Sequence, residues 1–479
     1  MSTRARVALG SFAVAGALFG ARCSTAPSAP TDAGADAAAD APEPPPWLGD
    51  AGLVERAPST RPLRELCGIA SNPGDMPLGA DATSSFLRKG YFDAALDLGG
   101  VMIRRDFRWS EIERQKGAFD FAAHDRLVDE ANQRGVRLLG TLGYGNPWAN
   151  ASSMGDEYFP PTDPADFARY AGAAAGRWAG KVTAWEIWNE PNNGWLFWKP
   201  TLAGDPAAYA ALLAASSQAI HAADPKARVM LGGTVFTPQL IEGAMPWLAK
   251  AWAAKPDLGA AFDVMGAHTY MAYPPERAPE EGVLTDAPLE AKVQMHAWLL
   301  AEHGASSKPI WITELGWPVA GKVDEAAQAR LLVRATLLAV RAGAEGVFWY
   351  TLRDGPDPAA FPPEDAFGLL HDDQDPMAAK EATPKRVYRA LKAMLAIAGP
   401  RHVVLDDPKV RDLPADGRAL RLRADGVPDV IAAWTVTTSA RARLEGAADV
   451  LDELGAPRGA TDASGGFDVG PDVTWLVAR

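Results

Sequence analysis

Two glutamates in this sequence close apolar runs and are followed at once by a turn. Glu190 ends Val182-Thr183-Ala184-Trp185-Glu186-Ile187-Trp188-Asn189-Glu190 and precedes Pro191-Asn192-Asn193-Gly194-Trp195. Glu314 ends Pro309-Ile310-Trp311-Ile312-Thr313-Glu314 and precedes Leu315-Gly316-Trp317. Runs rich in β-branched and aromatic residues read as buried strands. Pro191 has no N–H for a ladder, and Asn-Asn-Gly is turn chemistry, so strand pairing stops there. Each glutamate therefore sits at the lip of a strand. A lone carboxylate in such a place is ordinarily a surface charge or a helix cap. Two across one cleft can share the work of glycoside hydrolysis. One is protonated and gives its proton to the leaving oxygen, while the other is ionised and attacks the anomeric carbon. A gap of roughly 5–5.5 Å between them means retention of configuration, and a wider gap means inversion.

The elements that must position this pair follow from the periodicity. Eight apolar runs read as strands: 67–71, 101–107, 136–142, 182–188, 228–233, 262–269, 309–314 and 346–351. Amphipathic stretches lie between them, among them 121–134, 164–178, 206–222, 289–303 and 324–341. Asp163-Pro164 and Asp205-Pro206 each put a capping Asp before a proline at the first helical position. Strands alternating with helices imply a parallel sheet, and eight such units imply an α/β fold of the (β/α)8 TIM-barrel type, with its active site at the C-terminal strand ends. A doubly wound open sheet is the rival. It wants a glycine-rich loop after the first strand, and Ala70-Ser71-Asn72-Pro73-Gly74 is a poor one. Beyond Gly399 the period shifts to two, with strands expected at 419–423, 430–436, 447–451 and 473–477. The expected organisation is thus a barrel over 61–399 and a small C-terminal β-sandwich-like domain over 400–479.

The N-terminus reads as an address. Arg4 and Arg6 precede a short apolar stretch, so 1–22 reads as a signal peptide. Cys23 would be the lipidated residue of a lipoprotein; Arg22 before it departs from the usual small residue, which leaves ordinary secretion open. Residues 23–60, rich in Ala, Pro and Asp, read as a disordered tether. Cys67 is the other cysteine of the two, and no His or Cys spacing suits a metal. Over 479 residues, 47 basic against 60 acidic side chains leave a net charge of −13, which argues against a nucleic-acid partner. The 16 tryptophans suit either a large core or flat platforms for sugars.

Trp188-Asn189-Glu190-Pro191-Asn192 and Ile312-Thr313-Glu314 with Gly316 resemble the strand-four and strand-seven signatures of the clan A retaining glycoside hydrolases. Residues 104–113 (RRDFRWSEIE) and the stretch 192–200 bring the likeness nearest to family 39 and related bacterial exopolysaccharide hydrolases. The resemblance implies Glu190 as acid/base, Glu314 as nucleophile and Asn189 as a ligand of the sugar 2-hydroxyl. It implies Arg104 beside the nucleophile, with Arg105 the alternative if the register slips by one. It matches His268 and Tyr270 to a sixth-strand His and Tyr, the Tyr bonding the nucleophile; a hydrogen-bonded core histidine is the plainer reading of His268. Opposite charge would keep Glu314 ionised. Trp148, Trp195, Trp198, Trp317 and either Trp349 or Tyr350 are candidate sugar platforms. Glu186 is expected to pair with an interior Arg or His. The expected activity is retaining hydrolysis of a β-linked polysaccharide or oligosaccharide, without a cofactor. A transglycosylase would use the same residues, and a non-catalytic carbohydrate-binding lipoprotein would not need both glutamates.

Overall fold

The computed structural model describes residues 53–71, 90–236, 243–271, 276–282, 286–360, 363–371 and 383–479. Eight parallel strands close into a barrel in sequence order: β1 (Cys67–Ala70), β2 (Met102–Arg108), β3 (Leu138–Gly143), β4 (Ala184–Ile187), β5 (Val229–Val235), β6 (Val264–His268), β7 (Ile310–Leu315) and β8 (Ala344–Tyr350). β1 pairs with β8, so the open-sheet rival is excluded. All but one of their residues are buried, as expected of a parallel sheet wrapped by helices.

The helices between strands start where the capping residues lie. The Asp163 side chain accepts from the Ala165 N–H and Asp205 from those of Ala207 and Ala208, each with a proline at the first turn. Those helices, Pro164–Arg177 and Pro206–Ala223, pack beside each other, and their glycine Gly172 approaches the Ala219 carbonyl closely. A helix at Ala244–Ala254 completes the stretch between β5 and β6. Among the described residues no helix is long and apolar enough to cross a membrane.

After the helix Arg386–Ala398, nine short strands, β9 (His402–Val404) to β17 (Thr474–Ala478), build antiparallel sheets of three and six strands. The four strands read from the sequence are present as β11 (Gly417–Arg423), β12 (Val430–Thr435), β14 (Ala448–Leu451) and β17; β9, β10 (Val410–Arg411), β13 (Ala440–Leu444), β15 (Pro457–Ala460) and β16 (Gly466–Val469) escaped notice. They are short, and β13 alternates arginine with small residues, so little apolar pattern marks them.

The second domain is tied to the barrel by charge as well as contact. Arg386 reaches Glu453 and Asp472, and Arg330 also reaches Asp472. Glu280, in the loop after β6, receives the indole N–H of Trp434 from β12 at 2.7 Å and the Arg334 Nε at 2.8 Å. The end of the expected tether also belongs to the fold: Arg56 donates to the carbonyls of Ser306 and Lys308. The proposed signal segment and Cys23 lie outside the described residues. Cys67 is a buried free thiol in β1.

Candidate active site

Strand β4 ends at Ile187, and two side chains hold its end in place. The Tyr209 hydroxyl donates to the Ile187 carbonyl and accepts from the Gly232 N–H. Trp188 and Glu190 then take positive φ angles of 70° and 43°, a left-handed conformation that few non-glycine residues hold without support. The support is visible. The Asn192 amide accepts from the Val235 N–H and donates to its carbonyl, both at 3.0 Å, replacing a rung of ladder with β5. This kink turns the Glu190 carboxyl toward the barrel axis rather than into the helix layer.

One guanidinium organises the mouth. Arg104, on β2, donates from Nε to Glu186 at 2.6 Å, from one terminal nitrogen to Glu314 at 2.6 Å and from the other to Asn189 at 2.8 Å. Arg104 therefore takes the inward place, and Arg105 does not. Its neighbours Glu186 and Glu314 raise the Arg104 pKa against the effect of burial. Glu186, fully buried, also accepts from the hydroxyls of Thr141 and Thr313 and from the Gly233 N–H. Burial favours its neutral form, but Arg104, His268 and the Gly233 N–H outweigh it and hold the carboxyl below its ordinary value. Glu186 is the interior partner of Arg104, as its alternation with Trp188 suggested.

Glu314 and Glu190 meet over this base. The Tyr270 hydroxyl donates to Glu314 at 3.0 Å, and His268 Nδ1 lies 2.9 Å from Glu190 and 3.6 Å from Glu314. One carboxylate oxygen from each glutamate and a His268 nitrogen all lie within 4.8 Å of one another. Ligand atoms that close could also take a cation, an arrangement no sequence spacing disclosed. Each of them already has a protein hydrogen-bond partner.

The partners assign the histidine tautomer. Thr313 Oγ1 gives its proton to ionised Glu186, so it accepts from His268 Nε2 at 3.1 Å. A neutral His268 then has only a lone pair on Nδ1, and the hydrogen bond to Glu190 requires one proton between the two. One proton therefore lies between Glu190 and His268. Burial lowers the His268 pKa, but the charges of Glu314 and Glu190 raise it further than burial lowers it. Burial likewise pushes the Glu314 carboxyl above its ordinary value, with Glu190 adding to the push and His268, Arg104 and Tyr270 opposing it. Arg104 does lower the Glu314 pKa as expected, but burial raises it further, so the expected net lowering is corrected. A Cβ on Gly233 would stand 2.3 Å from the His268 ring, so only glycine lets β5 pass beneath it.

The candidate platforms divide sharply. Trp195, after β4, is 57% exposed and is free to stack. Tyr350, at the end of β8, joins Tyr270 and Phe367 in the inward-facing cluster. Trp349 is not a platform: it points outward, and its indole N–H donates to Thr336 on the helix Glu325–Arg341. Trp198 is buried against Trp188 and Tyr209. Trp317 is buried too, its N–H on the Arg277 carbonyl. Trp148, half-buried, is committed to Trp109 and the Glu113 carbonyl. Thr313, Thr141 and Asn193, which donates to Glu190 at 2.9 Å, were not singled out in the sequence, although two of them adjoin the glutamate motifs.

No family model matches the sequence, and no curated protein aligns with it. Solved structures do resemble it. A family 39 glycoside hydrolase from the gut symbiont Bacteroides cellulosilyticus WH2 superposes with a TM-score of 0.68 at 22% identity, over 88% of this chain and 81% of that one. The family 39 enzyme from Xanthomonas axonopodis pv. citri gives 0.57 at 18%, over 88% and 95%. A family 30 subfamily 8 xylanase from Clostridium acetobutylicum gives 0.54 at 13%, over 89% and 97%. The fold is therefore that of these clan A glycoside hydrolases, a (β/α)8 barrel carrying a β domain.

Proposed function

We propose that the protein is a retaining glycoside hydrolase acting on a β-linked polysaccharide or oligosaccharide. The observation that carries this reading is the pair Glu190 and Glu314 at the ends of β4 and β7, with oxygens within 4.8 Å and unlike partners. That separation suits direct attack by one carboxylate and leaves little room for a water between them. Glu314, held by the Arg104 cation and the Tyr270 hydroxyl, is the nucleophile. Its oxygen attacks the anomeric carbon as the bond to the leaving oxygen breaks. Glu190 gives that oxygen the proton it shares with His268. In the second step Glu190 takes a proton from water, whose oxygen displaces Glu314 and restores the starting configuration. Asn189, fixed by Arg104, presents its amide to the sugar 2-hydroxyl, and Tyr350 and Trp195 offer faces for sugar rings.

The family 39 likenesses support the same activity. The basic and apolar start of the sequence supports export, with a lipid anchor on Cys23; mass spectrometry of the mature N-terminus distinguishes that from ordinary secretion.

A panel of β-linked polysaccharides and aryl β-glycosides, read by new reducing ends or released phenol, tests the activity. Glu314→Ala is expected to abolish turnover on any substrate the parent cleaves, and near-parental activity in that variant would sink the mechanism. Azide added to Glu190→Ala is expected to give a β-glycosyl azide. An α-azide would contradict the assignment of the acid/base.

A further inference from the structure

The helix Leu289–Glu302 stands outside the barrel, yet it sends a lysine inward. Lys292 is fully buried. Burying an ammonium is costly unless its donors are met. Its Nζ donates to the Tyr270 carbonyl at 2.5 Å, lies 2.8 Å from Asp286 and sits 5.0 Å over the Phe236 ring. Asp286, also fully buried, is further held by Arg277 at 3.1 Å. The carbonyl that Lys292 takes is one the sheet leaves open. The β6–β7 register shifts after Ala267, and the last rung joins His268 to Glu314, so Tyr270 lies beyond the ladder. The Tyr270 hydroxyl is a direct donor to Glu314, and its direction depends on where its main chain is fixed.

We propose that Lys292 is a positioning residue for the displacement: its ammonium fixes the main chain at Tyr270 and so keeps the phenol on Glu314. The inference rests on the reading of Glu314 as nucleophile. A lysine suits the task because a charged donor to a carbonyl is stronger than a neutral one. Burial pushes the Lys292 pKa down to about 8, with Asp286 opposing, so the group keeps its charge at neutral pH. The other groups around it are Arg277 and Asp286 from the loop, and His296, whose Nδ1 bonds the Lys292 carbonyl. Around Glu314 stand Arg104, His268, Glu190 and Tyr270.

A double-mutant cycle with Tyr270→Phe tests this, using the aryl β-glycoside that the parent cleaves fastest. Lys292→Met is expected to lower kcat/KM by about tenfold, in line with the loss of one hydrogen bond to a charged group. In the Tyr270→Phe background it is expected to add less than about twofold, because both changes remove the same contact. Tyr270 also lowers the Glu314 pKa, so the acid limb of kcat/KM should move to higher pH in both single variants. A role confined to packing would leave that limb in place. Additive losses, or an unmoved acid limb, would overturn the proposal. If Lys292→Met gives no soluble protein, Lys292→Met with Asp286→Leu removes both charges and is judged by the same two criteria. Parental activity with no effect of Lys292→Met defeats this inference alone; a parent that cleaves no glycoside defeats the reading of the site and this inference with it.

Discussion

Arg104 at the barrel mouth and Arg441 on the C-terminal domain each hold two carboxylates, in opposite surroundings. Arg104 is 3% exposed and joins Glu186 on β4 to Glu314 on β7. Arg441, on β13, is 53% exposed and joins Asp462 to Asp468. In water the second arrangement gains little, since the charges are solvated whether or not they pair. In the mouth the same chemistry weighs far more, because burial leaves a carboxylate little solvent to take the place of its cation. Counting ion pairs would rank the two sites together, and burial separates them.

The largest effect expected from this contrast is that of Arg104→Met. It strands Glu186 and Glu314, so destabilisation of about 3–5 kcal/mol is expected in denaturant unfolding. The kcat/KM of any protein that folds should fall by about 10²–10³, as for loss of a preorganised donor. Parental stability in this variant would mean that Thr141, Thr313 and the Gly233 N–H suffice for Glu186.

A smaller effect concerns pH. As the proposed nucleophile Glu314 has to be ionised, and its pKa is raised, so the acid limb of kcat/KM should lie above the ordinary glutamate value of about 4.3. A limb at or below that value would show that Arg104, His268 and Tyr270 outweigh burial. Stability responds in two directions. Glu186 has a depressed pKa, so its stabilisation is complete above the unfolded carboxyl value and is lost as pH falls through the folded one. Glu314 has a raised pKa, so its neutral form favours the fold at low pH, and that contribution is lost as pH rises through its folded value.

The smallest effect is that of Arg441→Ala, for which neither Tm nor kcat/KM should change measurably. A clear loss of either would make the surface pairs of the second domain more than solvated neighbours.

The barrel was legible because its signals are local. β-branched runs, capping aspartates before prolines and turn residues after glutamates each report their own element. Glu190, His268, Tyr270 and Glu314 lie at or just past the ends of β4, β6 and β7, and Arg104 lies within β2, so a barrel read from local signals brings them to one mouth. The tryptophans were harder to read. Whether a ring faces sugar or core is decided by packing from distant segments: Trp198 by Trp188 and Tyr209, Trp317 by the Arg277 loop, Trp349 by Thr336 on the next helix. At the end of β8 one residue of register separates Trp349, turned to the helices, from Tyr350, turned to the mouth. Lys292 left no trace because a lysine in an amphipathic helix reads as a solvated face. The direction of the Glu314 shift was missed because the sequence names its charged neighbours but not the depth at which they meet.

Glu280 gives the loop after β6 a second abutment. Asp286 at one side of that span is fixed by buried Lys292; Glu280 at the other rests on Trp434 of the neighbouring domain. The sheet of the C-terminal domain is thereby bonded to the loop that leaves β6. The C-terminal domain thus braces a segment that follows the strand bearing His268, and a change at Trp434 would be felt in that loop as well as in its own sheet.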